Sequence, residues 1–351
     1  MVSIRVDGQG NAHHHIMFLI MLRRWCIFLL IASAGFARDR IAFIEFYGSK
    51  GIDTEAVRRA LPFHEGDPYV PYQTKRQAGE TVRQVTGHDA TEVAVLCCVG
   101  DGDQTLFIGL PGESSRKFTY NPEPKGAVRI SEELLTLQKR LDAAGEAATK
   151  KGGDAAGEDD STGYSLAHDP DMRALQLTLR AYALRHEAEL YRVVGSSSDA
   201  LDREYAADAL GYARQSRRQI AALVRASRDA SDDVRNDATR ALGVLLESNV
   251  ALARWIPPQG FIDMMSSGIW TDRNKASFVL EPMTRGRYSK LLAALRAQAL
   301  EPLIEMARWR DTGHALTARQ ILARIAGVPE ARVNEIAVGP IQALLDLLPA
   351  R

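Results

Sequence analysis

The chain has 351 residues, 46% of them hydrophobic, and its 44 Lys and Arg residues balance its 44 Asp and Glu residues. This length is enough for two or three domains with hydrophobic cores of their own. A net charge of zero excludes bulk electrostatic attraction to nucleic acid or anionic lipid, so any binding must use local surface features.

The N-terminal segment has the pattern of a secretory signal peptide. Two arginines precede a short apolar stretch, residues 27–34, and the small residues that signal peptidase recognises end at Ala37, where we predict cleavage. Either Met17 or Met21 is a more natural start, so we interpret residues 1–20 as an over-extended gene start. The apolar stretch is shorter than the roughly 20 residues of a membrane span, although an uncleaved anchor stays an alternative. We expect a secreted or periplasmic protein with no integral membrane domain in its mature form.

The first folded segment, residues 38–118, combines strand and helix patterns. A β-rich stretch at 41–46 is followed by a helix that Asp53 can cap, and then by a second helix near 72–85. Two β-branched, apolar runs separated by the glycines and aspartates of residues 100–103 predict a β-hairpin.

The order strand, helix, helix, strand, strand carries two short motifs, Gly-Ile-Asp-Thr-Glu-Ala-Val-Arg-Arg-Ala-Leu at 51–61 and Glu-Gly-Asp-Pro-Tyr at 65–69. In this combination the segment resembles the POTRA module of outer-membrane assembly and secretion proteins. The resemblance covers residues 38–118. It implies a small α/β domain that guides client chains or partner proteins, often by adding a strand to the edge of its sheet.

Residues 119–165 are predicted to link two folded parts. Residues 131–141 have the spacing of one amphipathic helix, whereas residues 142–163 contain glycine, alanine and charged residues but no large apolar side chain. Such a stretch cannot offset its own ordering entropy, so we expect it to be disordered.

From residue 166 to 351 the apolar residues keep a helical spacing. The stretch 203–211 returns at 235–243, an offset of 32 residues, with five identical residues among nine. A repeat of this length is typical of a helical unit that buries its apolar face only by stacking on a neighbour.

The pattern Asp-Val-Arg-x-x-Ala-x-x-Ala-Leu-Gly at 233–243 is similar to the HEAT repeat, of the short class first noted in bilin lyases. Weaker copies follow near 272–280 and 316–327, and a last helix at 340–348 caps the array. The resemblance implies an all-α solenoid over residues 166–351, and thus a multidomain chain. Its signature residues, predicted to be structural, are Arg203, Ala206, Ala209, Leu210, Gly211, Asp233, Val234, Arg235, Ala238, Ala241, Leu242 and Gly243.

No motif predicts catalysis, a cofactor or a metal ion. His64, His168 and His186 lie beside acidic residues but lack the spacing of a metal site or a catalytic site. Cys97 and Cys98 are interpreted as two small residues of a buried strand, because no spaced partner cysteine accompanies them.

A protein partner is the interaction that the sequence favours. Arg214, Arg217, Arg218, Trp255 and Trp270 are the candidate partner-binding residues, since arginines crowd one repeat and exposed tryptophans mark interfaces. One alternative for the arginines is a solvated helix surface whose charge is balanced by Asp229, Asp232 and Asp233. The alternative for the tryptophans is packing in the core or between repeats.

We therefore predict a non-enzymatic protein–protein interaction scaffold of the cell envelope, with no nucleic-acid partner. A lyase or hydrolase with a site in the solenoid groove is the alternative, which a deep pocket with inward-facing ionisable residues would favour. A cytoplasmic scaffold is a third reading.

Overall fold

The computed structural model describes residues 39–99, 102–116, 118–152, 155 and 157–348, without the side chains of Cys98 and Val99. The predicted signal peptide and gene start lie outside the described residues. Residues 38–351 group into one compact unit.

A three-stranded mixed sheet occupies the N-terminal part of the described chain. Its strands are β1 (Ile41–Tyr47), β2 (Glu92–Val99) and β3 (Asp103–Gly109). The central strand β3 runs parallel to β1 and antiparallel to β2. Helices α1 (Thr54–Ala60) and α2 (Pro71–Thr86) connect β1 to β2, and the Asp53 carboxylate caps α1 by accepting two backbone hydrogen bonds. The predicted element order is confirmed.

Both faces of this sheet are buried. On one face, Ile44 and Ile108 pack with Val57 of α1 and Val82 of α2. On the other face, Phe107 belongs to the core of the helical part of the chain. The sheet is therefore a middle layer between its own two helices and the helices that follow in sequence.

The rest of the chain is almost entirely helical. Its helices are α3 (Glu132–Lys151), α4 (Pro170–Ser196), α5 (Ala200–Gly211), α6 (Arg217–Ala226), α7 (Asp232–Ser248), a 3-10 helix (Val250–Trp255), α8 (Gln259–Met264), α9 (Trp270–Arg285), α10 (Ser289–Gln298), α11 (Leu300–Ala307), α12 (Thr312–Ile325), α13 (Glu330–Val338) and α14 (Ile341–Asp346). Two short strands, β4 (Glu158–Asp159) and β5 (Leu166–Ala167), pair antiparallel. Among the described residues, no helix combines the length and apolarity that crossing a bilayer demands.

Helices α5, α7, α9 and α12 lie side by side in chain order, and we call them the helix row. The intervening helices pack against successive members of this row. Small residues allow the close approach: a Cβ atom on Gly211 would lie 3.0 Å from the Cβ of Ala241, and one on Gly243 would lie 2.2 Å from the ring of Phe278. Each of these glycines thus faces the next helix of the row.

An extended strap, the described residues of 114–130, connects the sheet to α3. The amides of Arg116, Asn121 and Gly126 donate to backbone carbonyls that lie just before α9, α7 and α5 in the chain, at 2.7, 2.7 and 2.8 Å. The strap therefore runs along the ends of the helix row in reverse chain order, tied by backbone hydrogen bonds that side-chain patterns do not reveal.

The disorder expected for residues 142–163 is wrong for residues 142–151, which continue α3. Leu137, Leu141 and Ala148 lie on the buried face of this helix, which packs against α4. The side chain of Lys151 also pairs with Asp169 at the start of α4. The composition of this stretch is poor in apolar residues, but a neighbouring helix supplies the surface that orders it.

Cys97 lies on β2 and differs from its prediction. Its side chain is exposed rather than buried, and it takes part in a disulfide. The buried interpretation is therefore wrong for Cys97.

Candidate functional site

The arginine of the repeat signature is a buried residue with a recurring geometry. Arg203 and Arg235, and also Arg273 in the third copy, each donate to a backbone carbonyl six residues earlier, at 2.9, 2.9 and 2.6 Å. Each also pairs with a carboxylate later in the chain, and these are in turn Asp229, Asp272 and Glu305. The arginine thus ties the connector before its own helix to the next part of the row.

The other signature residues are packing residues, with one exception. Asp233 is exposed at the start of α7. The buried ones are Ala206, Ala209, Leu210, Gly211, Val234, Ala238, Ala241, Leu242 and Gly243. None of the signature side chains is therefore placed to contact a partner, apart from that of Asp233.

Glu305 of α11 joins the sheet to the helix row. Its carboxylate accepts hydrogen bonds from the backbone amides of Gly48 and Ser49 at 2.9 and 2.8 Å, and from the hydroxyl of Ser114 at 2.6 Å. The same carboxylate pairs with the fully buried Arg273 at 2.9 Å. Burial alone would raise the pKa of Glu305, but Arg273 and these hydrogen bonds hold the pKa below its usual value.

Trp270 is part of the same junction. Its side chain is 4% exposed, and its ring centroid lies 5.1 Å from that of Phe107 on β3. The backbone amide of Trp270 donates to the carboxylate of Glu92 on β2 at 2.6 Å. Trp270 therefore cannot offer free surface to a partner, and its assignment as a partner-binding residue is wrong. Its neighbour in the core, Trp309, is equally buried and donates to the carbonyl of Phe46 at 3.1 Å.

Of the remaining candidates, Arg217 of α6 lies beside Trp255, which is half-buried at the end of the 3-10 helix. The guanidinium groups of Arg217 and Arg254 lie 5.2 and 4.4 Å from the ring centroid of Trp255. Beside them, the guanidinium of Arg218 lies 4.1 Å from the ring centroid of Tyr191. All three arginines are exposed. We call these five residues the arginine–aromatic surface.

This surface carries a local excess of positive charge. Within the described part of the chain, no carboxylate pairs with the three arginines of the arginine–aromatic surface. Arg214, nearby, is exposed and lies 4.0 Å from Glu187. Asp229, one of the aspartates expected to balance this charge, is already held by the buried Arg203. The solvated-surface interpretation therefore lacks one of its counter-charges.

A groove lined mainly by α3, α4, α5 and α7 contains recessed ionisable side chains. Its main cavity, about 320 Å³, is lined by Asp142, Glu204, Asp208 and Asp237, among others. Burial, followed by the charges of neighbouring carboxylates, raises the pKa of Glu204 to about 7. Burial likewise raises the pKa of Asp208 and Asp237, so these carboxylates hold protons more tightly than exposed ones.

Two cations lie farther along this groove. Arg240 of α7 is bound by the carboxylate of Glu158 and donates to the hydroxyl of Ser165 at 3.1 Å. A second recess follows beyond Arg240 and contains Lys275 of α9. The sequence analysis did not identify these groove residues. A signal was present, since Asp208 and Arg240 are related by the same 32-residue offset as the repeat signature.

The histidines set aside in the sequence analysis do not converge. His64 is exposed, with its Nδ1 3.8 Å from Asp67, and His186 lies 3.3 Å from Glu189. In the portion of the chain that the structure describes, no cluster of three or more His, Cys, Asp or Glu residues is arranged to hold a metal ion.

Comparison with known proteins leaves the function to the geometry. No protein-family model matches the chain, and no curated protein matches it.

Proposed function

We propose that the protein is a non-enzymatic interaction scaffold of the cell envelope, whose arginine–aromatic surface binds a partner protein. The observation that carries the proposal is that the guanidinium groups of Arg217 and Arg254 both lie over the ring of half-buried Trp255, and neither has a carboxylate partner in the described residues. Arginine and tryptophan are the residues that most often dominate binding energy at interfaces. Unpaired arginines favour a partner segment that carries acidic side chains.

The helices that hold this surface support the proposal. Trp255 ends the 3-10 helix, which packs on α6 and α7, and Arg217 begins α6. The backbone of packed helices is already fixed before a partner binds, so none of the binding energy is spent on ordering it. The recurring geometry of Arg203, Arg235 and Arg273 agrees with a HEAT-type solenoid as the scaffold, and we include that fold in the proposal.

The sheet offers a second contact. We propose that the α/β part is POTRA-like and that β2, an edge strand, takes up an extended partner segment. The other edge is less available, because the β1 carbonyls of Ile44 and Phe46 accept hydrogen bonds from Arg310 and Trp309. Strand addition therefore favours β2.

A charge-reversal pair of variants tests the main surface. We expect Arg217→Glu combined with Arg218→Glu to lose at least tenfold in affinity for the partner, as buried interfacial charge pairs cost about 2–5 kcal/mol when broken. The partner is first recovered from envelope extracts by crosslinking to the full chain and is then purified for titration. The matched control is Lys139→Glu with Arg140→Glu, the same charge change on exposed positions of α3. Equal affinity of the two double variants would refute the proposal.

The alternative, a lyase or hydrolase site in the groove, is favoured by one observation. The groove contains recessed carboxylates with raised pKa values beside Arg240, an arrangement often found where proton transfer occurs. Loss of partner affinity in the charge-reversal variant would leave this alternative open, because the groove residues are separate from the arginine–aromatic surface.

A further inference from the structure

The second recess of the groove lies between α7, α9 and α12, beside the segment that contains β4. Its volume is about 200 Å³. The residues that line it are Glu158, Asp160, Arg240, Val244, Asn274, Lys275, Phe278, Gly313, His314 and Thr317. The recess therefore has room for a small molecule that carries few atoms.

Lys275 is the cation in this recess whose amine has no bonding partner among the described residues. Lys275 is half-buried, and among the described residues its amine has neither a hydrogen bond nor an ion pair. Arg240, by contrast, is held by Glu158. One carboxylate oxygen of Asp160 is also buried without a hydrogen-bond partner. An unpaired amine and an unpaired carboxylate oxygen thus line the same small cavity.

The surroundings of Lys275 favour its neutral form. Burial, followed by the charge of Arg240, lowers the pKa of Lys275 to about 8, against the opposing charges of Asp237, Glu158 and Asp160. At pH 7.4 an amine with this pKa is neutral in about a fifth of molecules, whereas an ordinary lysine is neutral in about one in a thousand. His314 is the remaining titratable group that lines the recess.

We propose that Lys275 is a nucleophilic amine that binds a small aldehyde or ketone covalently, as an imine, in the recess between α7, α9 and α12. A lysine that is desolvated beside another cation is an arrangement known to activate the amine toward carbonyl compounds. The geometry that carries the proposal is the recess itself, the unpaired amine of Lys275 that lines it, and the neighbouring Arg240.

The reaction is balanced without any oxidant or reductant. The lone pair of the neutral amine forms a bond to the carbonyl carbon, the carbonyl π electrons move to oxygen, and the nitrogen loses a proton as that oxygen gains one. The resulting carbinolamine loses its hydroxyl, together with the second amine proton, as water, which leaves the imine. Asp160 lines the same recess as Lys275, and its carboxyl group, whose pKa burial raises, is the group we assign to exchange these protons.

Reductive alkylation of the full chain tests the proposal. The protein is pulsed with propanal and cyanoborohydride at pH 7, and the modified lysines are located and quantified by peptide mapping. We expect Lys275 to be alkylated at least about tenfold faster than the exposed Lys139 and Lys290. The ratio of the rate at Lys275 to the rates at the exposed lysines should be constant below about pH 8 and fall above it, because Lys275 is then largely neutral while the exposed lysines still lose protons. The ratio cancels the effect of pH on the reduction of the imine, which all of these lysines share.

Two variants separate the mechanism from a general reactivity of lysines. Lys275→Arg should abolish the fast phase and leave the slow phase, and Arg240→Met should slow the alkylation of Lys275 at pH 7, because the neighbouring cation is gone. The wild-type measurement needs no variant to fold. Alkylation of Lys275 at the rate of Lys139, or slower, would overturn the proposal.

Discussion

Glu305→Gln should destabilise the protein by about 3 kcal/mol, since removing one member of a buried ion pair leaves the other charge uncompensated. Here that charge is Arg273, which is fully buried. The amides of Gly48 and Ser49 would also lose the charge of their acceptor. At an unfolding entropy of about 2 cal/mol/K per residue, a unit of this size loses about 1.5 °C per kcal/mol, so the melting temperature should fall by roughly 5 °C.

The pH dependence of this change has a definite sign. The folded-state pKa of Glu305 lies below the ordinary value of 4.5, so its charge stabilises the fold above pH 4.5. That contribution is lost as the pH falls through the lower, folded-state pKa. The difference in unfolding free energy between wild type and Glu305→Gln should therefore be constant near neutral pH and shrink in acid.

Chemical denaturation and hydrogen exchange measure these effects. The matched control is Glu335→Gln, which breaks an exposed Arg–Glu pair on α13 and should cost less than about 1 kcal/mol. Exchange at the amides of Gly48 and Ser49 should accelerate in Glu305→Gln only. If Glu305→Gln and Glu335→Gln cost the same, the account of Glu305 as the junction between sheet and helix row is refuted.

Two further predictions concern the groove and the helix row. The pKa of Glu204 rises from 4.5 to about 7 on folding, so its ionisation destabilises the fold as the pH rises through that interval. Glu204→Gln should therefore stabilise the protein at pH 8 by about 1–2 kcal/mol, a figure reduced because solvent screens this partly exposed group. Urea titrations measure the gain, and an equal gain at pH 4, where Glu204 is protonated in the folded protein, would contradict this. Gly243→Ala should destabilise by about 1–3 kcal/mol, because the new methyl group would lie 2.2 Å from a ring on α9. In the control, Gly79→Ala, the new methyl group points into open space within α2, and the better helix propensity of alanine should raise the melting temperature slightly. Similar melting curves for Gly243→Ala and Gly79→Ala would count against close packing of the helix row.

The sequence predicted the local elements well, because their signals are local. Asp53 marks the start of α1, and the glycine-containing turn between β2 and β3 separates two apolar runs. The repeat was also visible, since Arg203 and Arg235 recur with the same neighbouring alanines. These features depend on residues that lie close together in the chain.

The junction between sheet and helices was not predicted, because its contacts are distant in sequence. Glu305 and Gly48 are 257 residues apart, and nothing near Glu305 distinguishes it from a solvated helix residue. One signal was available in β3, whose apolar residues Leu106, Phe107 and Ile108 follow one another without alternation. Strands covered on both faces have such continuous apolar runs, so this run indicated a second layer over the sheet. The same covering layer explains why Trp270 is buried, although an isolated solenoid could have exposed it.

The central claim, that the arginine–aromatic surface binds a partner, is tested most directly by photo-crosslinking from one position within it. A photoreactive amino acid replaces Ala221, which is exposed on α6 one turn after Arg217 and Arg218. We predict a crosslink from position 221 to an acidic segment of a single partner, absent when Arg217 and Arg218 are changed to Glu. A crosslink of equal yield from exposed Thr136 on α3, or one that persists in the charge-reversed protein, would contradict the account.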